Sequence, residues 1–241
     1  MLDSAWIFAR GGSVRVPGKN LSSAGGKPLL GWAIEHAQGT ALFERVFVST
    51  DSPEIAGIAR EFGAEVPFMR PDFLSQSGSE ELGAWRHAIE WEHKETGRLP
   101  QLFVSVPTTA PLREPSDIAA CVAALSEGGA DLVMTVTRAK TLPGYNMVAM
   151  GESSSLRLLG AGSSPEAPPA RSSIFNVTTV CYAARPEYVL QAANLFSGKV
   201  LGSVVPEERA LDIDTYFDLR VADLVLKDRL LKMEGDFDVQ R

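Results

Sequence analysis

Short apolar runs alternate with helical patterns through the first half of the chain. Residues 5–9 (AWIFA) read as a short buried strand ahead of a glycine-rich loop. Pro28 suits the first turn of a helix over 28–38. Residues 45–50 (RVFVST) form the next strand. Asp51-Ser52-Pro53-Glu54 then start a helix, with Asp51 the favoured cap, an early proline and an acid at the positive dipole end. That helix stops at Gly63, and EVPF after it reads as a brief strand. Leu82, Trp85, Ile89 and His93 recur at three and four within a helix over 79–97. A strand at 101–106, a helix at 115–127 and a strand at 131–138 follow. This order predicts an α/β fold, with a mostly parallel sheet flanked by helices and joined by right-handed crossovers.

The pattern changes after residue 138. GYNMVAM and SLRLLG predict a hairpin-like excursion, and the Pro-, Gly- and Ser-rich stretch at 160–173 predicts a mobile loop. IFNVTTVCYAA is a strand, 186–196 a helix and GKVLGSVVP a strand. A long helix closes the chain within residues 212–232, and the tail after it reads as frayed. No internal repeat divides the chain, so 1–241 reads as one domain with 139–184 as a lobe within it.

Composition narrows the function classes. The 241 residues carry 23 Lys+Arg against 30 Asp+Glu, a formal charge of −7, which argues against nucleic acid as partner. Hydrophobic content of 45% is that of a folded globular chain. Two cysteines, Cys121 and Cys181, make neither a disulfide framework nor a four-sulfur zinc site, which fits a reducing cytoplasm. His36, His87 and His93 lack metal-site spacing, and His87 reads as a helix-face residue. No apolar run is long enough to span a membrane, and the first residues do not have the pattern of a signal peptide.

The loop FARGGSVRVPGKN carries the chemistry. It sets Gly11, Gly12, Arg10, Ser13, Arg15 and Lys19 directly after a strand, where open α/β sheets bind ligands. Glycine lets backbone N–H groups approach phosphate oxygens, and Arg and Lys neutralise their charge. The spacing fits neither a P-loop, since Asn20 follows Lys19, nor the GxGxxG dinucleotide fingerprint. Asp212 and Asp214 lie two apart, so on an extended segment both carboxylates face one way. Asp214 can alternatively cap the last helix, and Asp218 reads as a cap or ion-pair residue.

ARGGSVRVPGKN resembles the signature of the cytidylyltransferases that activate N-acylneuraminate and related nonulosonic acids. VSTDSPEIAGIAREFGAEVPFMRP, PTTAPLREPSDI, TTVCYAARPEYVL and LDIDTYFDLRVAD resemble further blocks of that family, in its order. The resemblance implies a Rossmann-like nucleotidyltransferase fold with a small dimerisation lobe, and a homodimer. It implies transfer of CMP from CTP to a 2-keto-3-deoxy sugar acid, with Mg²⁺ held by Asp212 and Asp214. Arg10 and Lys19 would contact the triphosphate, lined by Ser13 and the Gly11–Gly12 backbone, with Arg15 adding charge and Asn20 near the ribose or phosphates. Arg70 would meet the cytosine beside Ser77, Gly78 and Ser79, a surface ion pair being the alternative for Arg70. Thr109, Arg113, Asn146 and Tyr182 would face the sugar acid, a purely structural role being as consistent for Arg113.

Three positions depart from the family pattern. Val14 stands where a lysine is common, Gln76 where an aspartate is common, and SSPEAPPARSS where an RRQ-like segment usually precedes the TTV strand, leaving Arg171 as its cation. A CMP-Kdo-type synthetase and a non-catalytic nucleotide-binding paralogue are the competing readings.

Overall fold

A computed structural model describes residues 1–13, 15–76, 81–159 and 173–238. Strand β1 (Leu2–Phe8) leads through the glycine-rich loop to two short strands, β2 (Ser23–Ala24) and β3 (Lys27–Pro28), and to helix α1 (Leu29–Gly39). There follow β4 (Phe43–Ser49), α2 (Pro53–Glu61), α3 (Glu81–Thr96), β5 (Phe103–Ser105), α4 (Pro115–Gly128) and β6 (Leu132–Arg138). The excursion holds β7 (Val148–Met150) and β8 (Leu156–Leu158), paired antiparallel. The chain ends with β9 (Phe175–Ala184), α5 (Pro186–Gln191), β10 (Val200–Val204) and α6 (Tyr216–Asp238).

Six strands form the main sheet in the order β10-β6-β9-β5-β1-β4. The β1–β4, β1–β5 and β6–β10 pairs are parallel, while β9 runs antiparallel between β5 and β6. Alternation along β1 explains the layers. Ala5 and Ile7 pack with residues of α1, α2 and α4 on one face, including Leu30, Ile34, Ile55, Ile118 and Leu125. Trp6 points to the other face and packs with Phe47, Trp85, Ile89 and Phe103. A third cluster seats α6 through Ala222 and Leu226 against Leu29, Trp32, Leu112 and Ile213. Gly25 permits that close approach: its φ is +58°, and a Cβ there would lie 2.5 Å from that of Leu226.

Several local expectations change. Ser52, not Asp51, caps α2, its hydroxyl accepting from the Ile55 N–H at 3.3 Å. Asp51 instead accepts from the Gly11 N–H at 2.8 Å, so it ties down the glycine-rich loop. EVPF forms no strand and contributes only the single Phe47–Glu65 bridge. Helix α5 ends at Gln191, where Ala192 turns extended and the Tyr188 hydroxyl donates to the Asn194 and Leu195 carbonyls. Helix α6 continues to Asp238, with Asp223–Lys227 and Asp228–Lys232 pairs one turn apart along it. The excursion leaves the sheet after Arg138 and returns at Phe175, so β9 belongs to the core rather than to the lobe. The mobile-loop expectation for 160–173 lies outside the described residues apart from Ser173. Among the described residues no helix is long and apolar enough to cross a membrane.

One buried charge gives a pH-dependent prediction. Glu92 is 4% exposed and accepts hydrogen bonds from the Ser4 hydroxyl and the Trp6 indole N–H. Burial raises its carboxyl above the ordinary value and outweighs those two bonds, with the Asp3 charge adding to the rise. A carboxyl whose folded value is raised opposes folding once ionised, so its cost appears as pH climbs past about 4.5 and is complete above the folded value. Glu92→Gln keeps an acceptor for Trp6 and removes the charge. Its thermal midpoint at pH 7.5 is expected above wild type by roughly 2–4 °C per kcal/mol recovered. The gap should close near pH 4; a lower midpoint at pH 7.5 would show that the carboxylate stabilises the fold.

Candidate active site

The carboxyl ends of β1 and β5 open into a cleft of about 500 Å³. Its lining includes Phe8, Arg10, Ser13, Arg15, Lys19 and Asn20 from the first loop, Pro107–Thr109 after β5, Thr179 and Tyr182 of β9, Glu81 of α3, and Asp214. Topology explains the gathering. The loops after β1 and β5 meet at one end of the sheet, and antiparallel β9 brings its early residues to that same end.

The glycine-rich loop is held from several sides. Gly18, at φ +66°, turns the chain into a 3-10 turn at Lys19–Leu21. Asn20 is buried and braces the loop: its amide donates to the Arg10 carbonyl at 2.8 Å, and its oxygen accepts from Thr108 at 2.6 Å. Arg10 donates to the Gln76 carbonyl at 3.0 Å. Lys19 donates to the Ile213 carbonyl at 2.6 Å, tying the loop to the segment that carries both aspartates.

That segment lies outside any helix or strand. Ile213 is fully buried and its N–H donates to the Thr109 carbonyl at 2.8 Å, leaving Asp212 and Asp214 half-buried on either side of it. Asp214 faces two cations, Arg15 at 2.6 Å and Lys19 at 3.6 Å. Asp212 accepts from the Thr179 hydroxyl at 3.0 Å, and Thr179 in turn accepts from Thr109 at 3.0 Å. The capping alternative for Asp214 falls to Asp218, which accepts from the Asp214 and Thr215 N–H groups at the start of α6.

Among the described residues no group of three or more His, Cys, Asp or Glu side chains forms a ready-made metal site. Asp214 lines the cleft, whereas Asp212 is outside the lining and lies against Thr179; Mg²⁺ takes one or two carboxylates and completes its shell with phosphate oxygens and water, so this pair can still serve it. The ion pairs of Asp214 are exposed enough to exchange, since Arg15 is 69% accessible and Asp214 47%.

Other expected residues fall elsewhere. Gly11 and Gly12 do not line the cleft, and the Gly11 N–H is already committed to Asp51. Arg113 does not face the sugar-acid space. It is buried beneath the floor, donating to the Pro107 and Thr179 carbonyls, and burial lowers its guanidinium to about 10. Its role is to hold the two segments that carry the threonines. Asn146 lies outside the cleft lining and closes its own turn, its side-chain oxygen accepting from the Leu142 N–H. Arg70 is also outside the lining. It is 6% exposed with Nε and one terminal nitrogen unpartnered, and burial lowers its guanidinium despite the Asp51 charge. Among the described residues these two nitrogens find no acceptor, as is also true of Nε and one terminal nitrogen of Arg113. Ser77, Gly78 and Ser79, together with Val14 and Arg171, lie outside the described residues.

Phe8, Pro107, Thr108, Thr179 and Glu81 are the cleft residues that sequence reasoning missed, the last three of them with polar side chains. The two threonines sat inside PTTAPLR and TTVCY, blocks whose neighbours alone were singled out. Glu81 gave no signal beyond its place at a helix start. Packed cleft walls raise its carboxyl to about 7, although the side chain opens onto cleft water. Tyr182 is 6% exposed; burial, followed by the Glu81 and Asp212 charges, raises its phenol.

Comparison with known proteins agrees with this geometry. The chain is 24% identical over 229 residues to post-translational flagellin modification protein B of Campylobacter coli, covering 94% of this chain and 95% of that protein. It is 26% identical over 221 residues to a CMP-N,N'-diacetyllegionaminic acid synthase of Campylobacter jejuni, covering 91% and 93%. A CMP:2-keto-3-deoxy-manno-octonic acid synthetase solved with CTP superposes with a TM-score of 0.67 at 17% identity, over 94% of this chain and 99% of that one, which marks a shared fold. Residues 5–150 match the family described as Cytidylyltransferase. With well over half of its length matched, the chain belongs to the cytidylyltransferase family.

Proposed function

We propose that the protein transfers CMP from CTP to the anomeric hydroxyl of a sialic-acid-like nonulosonic acid and releases pyrophosphate. The observation that carries this reading is the cation-lined loop of Arg10, Arg15 and Lys19 facing Asp214 across the cleft. Relatives that match along nearly the whole chain, one of them a CMP-legionaminic acid synthase, support a nonulosonic acid as acceptor.

The reaction forms a bond from the anomeric oxygen to the α-phosphorus and breaks the bond to the β-phosphate oxygen. Pyrophosphate leaves with that electron pair, and the hydroxyl proton is lost. Such transfer depends on in-line positioning and charge neutralisation more than on covalent help. Arg10 and Lys19 bind the triphosphate, and Arg15 exchanges its Asp214 partner for phosphate. Arg70 offers its unpaired nitrogens to the nucleotide base. Thr109 and Thr179 fix Asp212, while Tyr182 and Glu81 form the opposite wall. Asp212 and Asp214 would hold Mg²⁺, which supplies further positive charge at the phosphates.

A homodimer fits the lobe, where Tyr145, Val148, Met150 and Leu156 are apolar and exposed. Light scattering is expected to give twice the chain mass of 25.9 kDa. A reducing, cytoplasmic setting is supported by the two buried free cysteines. The test of function is pyrophosphate release with CTP, Mg²⁺ and a panel of neuraminic, legionaminic and pseudaminic acids and Kdo. Release with one of the nine-carbon acids is expected. Release with Kdo alone would move the chain to the other branch, and CTP binding without release would mark a non-catalytic subunit.

A further inference from the structure

Most polar groups of the cleft are already committed. Asp214 is paired with Arg15 and Lys19, Asn20 with Arg10 and Thr108, Thr109 with Thr179, and Thr179 with Asp212. Glu81 is different. It lines the cleft, opens onto its water, and has no hydrogen-bond or ion-pair partner among the described residues. Its position is nonetheless fixed. It is the first residue of α3, and that turn is anchored by Leu82 at 4% exposure and by fully buried Trp85, whose ring lies 5.4 Å from that of Tyr182.

We infer that Glu81 binds the acceptor: its carboxylate takes a hydrogen bond from a hydroxyl or acylamino N–H of the sugar acid on the Tyr182 side of the cleft. This deepens the proposed function and rests on it. Above about pH 7, where this raised carboxyl is ionised, it is an acceptor only and so selects donor groups. In that ionised form it also repels anions across the cleft. The triphosphate is therefore kept to the end that holds Arg10, Arg15 and Lys19. The same repulsion orients the acceptor. In a 2-keto sugar acid the anomeric carbon bears the carboxylate, so turning that carboxylate away from Glu81 and towards the cations brings the anomeric hydroxyl to the triphosphate. The donor-bearing part of the sugar is left facing Glu81.

The test is a split between two Michaelis constants, measured with whichever acid of the panel the wild type turns over. Glu81→Ala is expected to raise KM for the acid about tenfold, the scale of one lost charge-assisted hydrogen bond, while KM for CTP stays within about twofold. Glu81→Gln keeps an acceptor oxygen and should recover part of the loss. Thermal midpoints of both variants should match wild type, because Glu81 has no partner to lose among the described residues. An unchanged acid KM in Glu81→Ala overturns the inference, as does an equal rise in both constants, which would report a structural role. A wild type that turns over none of the acids overturns the proposed function and this inference together, which separates the two failures.

Discussion

Lys19→Ala is expected to lower kcat/KM by about a hundredfold to a thousandfold, the range for removing one preorganised electrostatic donor from a transition state. Two features make this lysine costly to lose. Its side chain is only 15% accessible, so its charge acts in a partly desolvated site. It also donates to the Ile213 carbonyl between the two aspartates, so the alanine variant leaves the Arg15–Asp214 pair alone to tie the loop to the segment opposite. Weaker CTP binding should accompany the loss, with the thermal midpoint falling by a few degrees at most, because the hydrophobic clusters are untouched. Arginine at this position should not restore full activity, since its planar fork cannot reproduce the single 2.6 Å contact. A kcat/KM within threefold of wild type would remove Lys19 from the site.

Asp212→Asn is expected to lower turnover by about a thousandfold, since charge stabilisation through a bound metal is worth several kcal/mol and each 1.36 kcal/mol is about tenfold. The fold should be spared. Asparagine has the same shape, and its oxygen still accepts the 3.0 Å bond from Thr179, so the Thr109–Thr179–Asp212 chain survives. What is lost is one negative charge behind Thr179 of the cleft wall. The variant should therefore need far more Mg²⁺ for its residual rate while unfolding at the wild-type temperature. Near-native turnover at ordinary Mg²⁺ would show that Asp212 serves only to hold Thr179.

These residues were legible in the sequence to different degrees, for physical reasons. Strands such as β4 and β6 show as short apolar runs because both faces of a mostly parallel sheet are buried. The first loop was legible because glycines and cations after a strand have few other uses. The bond between Lys19 and Ile213 spans 194 residues, and no local pattern encodes it. Arg113 stood open between the sugar acid and a structural role, because only tertiary packing puts it beneath the cleft with two carbonyls as partners. Asp51 and Ser52 are both good caps, and the choice between them was made by the Gly11 N–H, which sequence distance hides. Glu81 was hidden for the opposite reason: an acid at a helix start is common, and its meaning comes from the cleft around it.

The most direct test of the central claim follows the product itself. The protein is incubated with CTP, Mg²⁺ and each sugar acid of the panel, and CMP-sugar formation is followed by mass spectrometry beside pyrophosphate. The expected result is a CMP ester of one nonulosonic acid, formed mole for mole with pyrophosphate and lost in Lys19→Ala and Asp212→Asn. Full occupancy by CTP with no ester from any acid, or ester formation that survives both substitutions, would contradict it.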